Sequence, residues 1–144
     1  MKEKIKKYSH CFVCGDKNEV GLKVQFYYED GKAKAEYTAP KEFQGYKDIL
    51  HGGIISSLLD EVMIKAVLSQ NISAMTVEIK VKFKKPVWIG EKIYLQGEIV
   101  KEQGKIVFAQ GEVKNQKGEM VALGEAKFFK VDETMQEILN QGLD

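Results

Sequence analysis

The stretch Gly52 to Ser69, GGIISSLLDEVMIKAVLS, contains only three charged residues, Asp60, Glu61 and Lys65. Read as a helix, roughly 52–69, it is apolar over most of its circumference. Such a helix cannot lie on a surface with one face in water and has to be wrapped by other elements. The rest of the chain supplies the wrapping. After the helix, Met75, Val77, Ile79, Val81 and Phe83 alternate with Thr76, Glu78, Lys80, Lys82 and Lys84, the period of a strand. Pro86 ends or bulges this strand, and Gly90-Glu91 marks a turn. Ile93, Leu95, Gly97 and Ile99 predict a further strand, turned at Gln103-Gly104-Lys105. Val107, Ala109, Gly111 and Val113 predict the next, turned at 115–118, and 120–131 the last. Before the helix, Leu22, Val24, Phe26 and Tyr28 alternate, Glu29-Asp30-Gly31 signals a turn, and Ala33, Ala35 and Tyr37 continue as the hairpin partner.

Two strands, one helix and four meandering strands argue an α+β chain with an antiparallel sheet rather than βαβ crossovers. The expectation is a six-stranded antiparallel sheet wrapped round one long central helix, with a short acidic helix at 133–140. A single domain over residues 1–144 is expected, with 1–20 as an N-terminal extension. A chain of 144 residues, 44% hydrophobic and 30% charged, can bury a core without disulfides or metals.

A net charge of +1 gives no global drive toward nucleic acid, so any affinity for anions has to be local. The basic start at 1–7 is not followed by an apolar stretch, so no signal peptide is expected. No apolar run approaches the ~20 residues of a membrane span. A cytoplasmic location, with no nucleic-acid or membrane partner, is the expectation. Cys11 and Cys14 form a lone C-x-x-C beside His10. A zinc site needs further ligands, and the only other histidine is His51. A redox pair normally opens a helix in a βαβ unit. Reduced thiols packed as small hydrophobes are the plainer reading, with metal or redox use as alternatives.

The start of the long helix carries the chemistry. His51-Gly52-Gly53 leads into it, and Asp60 follows Gly53 by seven residues, which returns to nearly the same azimuth. The helix start offers unpaired N–H donors for a developing negative oxygen. The carboxylate sits among Leu59, Met63 and Val67, where desolvation should raise its pKa and strengthen it as a base. An anion-binding helix end and a carboxylate suit acyl transfer. Gly53 is the candidate N–H donor, and Gly52 lets a substrate approach closely. His51 reads as a capping or orienting residue rather than a base. Glu61 is a competing carboxylate, although Lys65 four residues on makes an ion pair its simpler role. Ser57 and Thr76 could orient an attacking water, unless their hydroxyls are merely satisfied locally. Lys80, Lys82, Lys84 and Lys85 form either a solvated face or a docking rail for phosphates.

The run HGGIISSLLDEVM resembles the acyl-CoA thioesterases of the hotdog fold, in particular the branch of the phenylacetate-pathway thioesterase. Cys11-Phe12-Val13-Cys14-Gly15 with Asn18 and Gly21-Leu22, and the strand Thr76 to Val87, extend the likeness. The resemblance implies hydrolysis of an acyl-CoA thioester to a carboxylic acid and free coenzyme A, with no metal or organic cofactor. Asp60 would be general base or nucleophile, Gly53 would hold the oxyanion, and His51 would hold the loop. It implies a homodimer joined edge to edge, possibly paired again as a homotetramer, with sites at the seam. Where some relatives carry an asparagine that holds the thioester carbonyl, this chain has Gly45, with Gln44 adjacent as a substitute. Lys82 and Lys85 stand where relatives often have arginines facing coenzyme A phosphates. A non-catalytic acyl-CoA binder, or a hotdog dehydratase or hydratase, are the alternatives.

Overall fold

Two-residue turns set the pairing of the sheet in the computed structural model, which describes residues 2–143. Asp30 and Gly31 both take positive φ, 55° and 77°, the backbone of a type I′ hairpin turn. They join strand β2 (Tyr27–Glu29) to β3 (Lys32–Thr38), with Glu29 opposite Lys32. Gly104, at φ 60°, turns β5 (Lys92–Gln103) into β6 (Ile106–Lys114). The long helix α1 is Gly52–Leu68, followed by β4 (Ala74–Phe83). Strand β7 (Met120–Lys130) and helix α2 (Glu133–Asn140) end the chain, and a two-residue strand, β1 (Glu3–Lys4), begins it.

The sheet is antiparallel throughout, in the order β1-β2-β3-β5-β6-β7-β4. It has seven strands rather than the expected six, because the N-terminal extension contributes β1. The strand expected from Leu22 pairs only from Tyr27. Lys23 takes φ 56°, and the N–H groups of Leu22 and Val24 bond to the carbonyls of Phe12 and Val13. Leu22, Val24 and Phe26 are nonetheless buried, so their alternation recorded burial and not a ladder.

Residues opposite one another in the ladders show how the sheet curls round α1. One transverse row runs Ala33, Gly97, Gly111, Gly124. A Cβ at Gly97 would lie 2.7 Å from the carbonyl oxygen of Val62, and at Gly111 and Gly124 it would crowd Met63. The row is therefore a trough in which the helix lies with its backbone against the sheet. Flanking rows of Ala35, Leu95 and Val113, of Ala109 and Ala126, and of Val107 and Phe128, close over Leu58, Leu59, Val62, Met63 and Val67, all essentially inaccessible.

The seventh strand in the order, β4, is an edge. Met75, Val77, Ile79 and Phe83 are exposed on it. A long edge strand with apolar side chains is unusual in a chain that stays alone, since its free N–H and C=O groups template further pairing.

Candidate active site

A bulge in β4 sets the geometry around Asp60. Thr76 lies opposite Phe128 and Glu78 opposite Lys127, leaving Val77 as one extra residue. Opposed residues share a face, so the bulge reverses the alternation. Thr76 joins Ile79, Val81 and Phe83 on the concave, helix-facing side, whereas strict alternation from sequence put it on the other. The Thr76 hydroxyl donates to Asp60 Oδ1 at 2.8 Å. Asp60 Oδ2 accepts no hydrogen bond among the described residues. Asp60 belongs to a stripe of α1, Gly53, Ser57, Asp60 and Ile64, that the sheet of one chain does not cover. Burial raises its carboxyl above the ordinary carboxylate range, and the Thr76 bond pulls partly the other way.

At the helix start His51 is the N-cap, and its Nδ1 accepts the N–H of Gly53 at 2.8 Å. The ring is thereby the tautomer with its proton on Nε2. His51 thus caps the helix, in line with its expected orienting role. The same bond corrects the expectation for Gly53, whose N–H is taken. The N–H of Gly52, the first helical residue, has no partner among the described residues, and a Cβ there would touch only the Phe83 ring at 3.5 Å. Gly52 is the free donor of this turn. The loop before it is held down by His51 N–H to the Phe43 carbonyl, 3.0 Å, and by Gly45 N–H to the Ile49 carbonyl, 2.8 Å. Gln44 Oε1 accepts the Asp48 N–H at 2.9 Å, which leaves its NH2 group free to donate. Ser57 donates to the Gly53 carbonyl at 2.9 Å and is locally satisfied.

Gly52 and Asp60 lie within one helix but do not share one site. Eight rises of ~1.5 Å put them about 12 Å apart along the axis. A carbonyl held by one N–H and attacked at ~3–3.5 Å by a carboxylate or its water spans less than that. Sequence phase placed Gly53 and Asp60 on one wall without registering the axial gap, roughly 10 Å for their seven rises. The lysines are further removed. Lys80 and Lys82 lie opposite Glu125 and Leu123 on the convex face, while Lys85 pairs with Glu119. Clefts of about 580 and 510 Å³ on that convex face contain neither Asp60 nor Gly52.

Glu61 faces elsewhere. Its carboxylate lies 3.7 Å from Lys65 Nζ, the expected i, i+4 pair. Lys65 is only 1% exposed, donates to the Lys6 carbonyl at 2.6 Å and lies over the Tyr8 and Phe26 rings. Beside this pair stand Cys11 and Cys14, both free. Burial pushes the Glu61 carboxyl up to about 7, helped by the Cys11 charge and opposed by Lys65. A hydrogen bond from Cys14 holds the Cys11 thiol well below its usual range, and that shared proton, with burial, keeps Cys14 protonated. Packing as plain small hydrophobes misses this polar neighbourhood. Its signal in the sequence was the pair Glu61 and Lys65, two charges in an apolar helix that require buried partners.

Comparison with known proteins agrees with this architecture. The family model of the thioesterase superfamily matches residues 47–122. A protein of Archaeoglobus fulgidus, whose name offers esterase activity only as a supposition, is 30% identical over 105 residues, 73% of this chain and 68% of its own. Among solved structures, the thioesterase superfamily protein RHA08564 superposes with a TM-score of 0.81 at 24% identity, over 85% of this chain. The chain spans 61% of that protein's length. The PaaI protein of the E. coli phenylacetic acid degradation operon superposes at 0.72 with 21% identity, covering 77% of this chain and 81% of its own. A hypothetical thioesterase of Streptococcus pneumoniae, solved with coenzyme A, superposes at 0.68 with 19% identity, covering 72% and 83%. It has also been solved with a threonine and with an aspartate replaced by alanine, the two positions sixteen residues apart. The chain belongs to the thioesterase superfamily, and its fold is the hotdog fold.

Proposed function

We propose that the protein is an acyl-CoA thioesterase that works as a homodimer, with each site built from both chains. The carrying observation is Asp60: a half-buried carboxylate with one oxygen pinned by Thr76, the other unbonded, facing the open side of α1 beside an unpaired strand edge. A carboxylate so placed has a free, basic oxygen aimed where a second wall would stand. The Streptococcus relative, whose variants alter an aspartate and a threonine at the same separation as Asp60 and Thr76, supports the pair as functional. The coenzyme A in that protein supports the substrate class.

The second wall follows from β4. Two copies related by a two-fold axis can pair their β4 edges antiparallel, which is an isologous contact. If the axis passes at Lys80, the extra residue Val77 sets Thr76 of one chain opposite Phe83 of the partner subunit. Since Thr76 holds Asp60 and Phe83 packs on Gly52, Asp60 then approaches the partner subunit's Gly52. The free N–H of Gly52, at the positive end of a helix, would hold the thioester oxygen as it becomes negative. Asp60 would activate water or attack the carbonyl carbon directly, and the coenzyme A thiolate would leave. Exposed Tyr46, Phe83 and Trp88 near the helix start would wall the acyl group.

Asp60→Asn tests this reading, because it keeps shape and removes the base. Hydrolysis of a panel of acyl-CoAs, followed by a chromogenic thiol reagent against an enzyme-only blank, should fall at least ~10²-fold, with the unfolding temperature kept. Near-wild-type turnover in the variant would remove Asp60 from the mechanism.

A further inference from the structure

The cysteine cluster lies on the side of α1 away from Thr76 and is not used by the reaction above. We propose that Cys11, Cys14 and Glu61 form a binding site for a divalent soft metal ion, zinc being the best match, which fastens the N-terminal segment to the catalytic helix.

The geometry is close to what a tetrahedral ion needs. The two sulfurs and a Glu61 carboxylate oxygen all lie within 4.8 Å of one another. Zinc–sulfur bonds of ~2.3 Å place ligand sulfurs about 3.8 Å apart at a tetrahedral centre, so the sulfurs need to close by no more than about 1 Å. Thiolate with carboxylate is a donor combination that zinc accepts, and the sulfurs disfavour magnesium and calcium.

The turn is built to present both sulfurs together. The Cys14 N–H points at Cys11 Sγ, 3.5 Å away, and the Gly15 N–H donates to the Cys11 carbonyl at 2.9 Å. A Cβ on Gly15 would lie 2.4–2.6 Å from the Ser9 carbonyl and the Cys11 backbone, so only glycine closes this turn. Amide bonds to a cysteine sulfur favour its thiolate, the form that binds metal. The third donor arrives from another element, which two thiols packed as hydrophobes do not require.

Charge bookkeeping points the same way. On binding the ion Cys14 gives up the proton it otherwise holds, and two thiolates, one carboxylate and Lys65 then sum to −2, which a divalent cation neutralises. Without it, a buried acid beside thiols is costly. Glu61 also lines a cleft of about 30 Å³ with Tyr8, Lys65 and Leu139, room for one water beside its carboxylate. The segment before β2 has little regular structure of its own, two residues of β1 apart, and a metal is a usual staple for such a segment.

The test uses the full chain. Purified in reducing buffer and dialysed against zinc at neutral pH, it should retain about one zinc per chain. Replacement by cobalt should give the near-ultraviolet thiolate-to-metal band and the visible bands of tetrahedral cobalt. Cys14→Ser should abolish the thiolate band, and Glu61→Gln should weaken zinc retention at least ~10-fold. Zinc should raise the unfolding temperature of the wild type and not of Cys14→Ser. Should a variant fold poorly, the wild-type cobalt spectrum decides alone. A wild-type chain that retains no zinc and gives no thiolate band overturns the site. So does a Cys11–Cys14 disulfide that persists in reducing buffer.

Discussion

Proline is the sharpest probe of Gly52. It occupies the first helical position, where proline's fixed φ is favourable, and His51 before it already has φ −62° and ψ 133°, as a residue preceding proline requires. Gly52→Pro therefore deletes one N–H and little else. If that N–H holds the oxyanion, turnover should drop ~10²–10³-fold at unchanged unfolding temperature. A variant with normal turnover would return the role to Gly53 and imply that His51 releases its bond. At this scale the sequence announced Asp60, the capping histidine and the Glu61–Lys65 pair. Which of two adjacent glycines has a free N–H was hidden, since it depends on where an imidazole nitrogen points. Thr76 was named as a candidate, yet its reach to Asp60 depends on the Val77 bulge, which alternation cannot reveal.

Among the elements, the helix and its trough were the most legible part. An apolar run with three charges demanded wrapping, and the alternating runs that wrap it became β3 to β7. The contact itself turns on small residues. Gly97 lies under the Val62 carbonyl, so Gly97→Ala pushes a methyl group into helix backbone that cannot rotate away. We expect a loss of about 1–3 kcal/mol, read as a lower denaturation midpoint with unchanged m-value. Unchanged stability would mean that α1 can lift from the sheet. The lysines of β4 are a weaker case, because their strand position does not decide between a solvated face and a phosphate rail. Lys82 has no ion-pair partner among the described residues, while Lys85 holds Glu119. Changing both to Ala should raise KM for acyl-CoA and spare turnover if they touch the nucleotide, a uniform binding loss. An acyl-pantetheine thioester, which lacks the nucleotide, should be indifferent. Equal weakening of both substrates would instead assign the lysines to the fold or the assembly.

The whole molecule is where one chain's sequence says least, because a composite site is a property of two copies. Exposed Met75, Val77, Ile79 and Phe83 on an edge strand, and about 12 Å of helix rise between Asp60 and the free N–H of Gly52, are the observations behind the proposal that each chain holds half a site at either end of a seam. Two inactive variants can complement each other if that is so. Asp60→Asn keeps a working Gly52, and Gly52→Pro keeps a working Asp60. In a heterodimer of the two, one seam site combines Gly52 of the first chain with Asp60 of the second and is intact, while the other site has lost both groups. Co-expression with different affinity tags and purification on both isolates that species. Composite sites predict about half of wild-type turnover per dimer, since one of two equivalent sites survives. If each chain carries a complete site, both chains of the heterodimer are defective and it stays as inactive as its parents. Sedimentation of the same preparations should show no active monomer at assay concentration. A heterodimer that recovers activity is the outcome expected of a seam that sets Thr76 against the partner subunit's Phe83, since that pairing brings Asp60 to the opposite helix start.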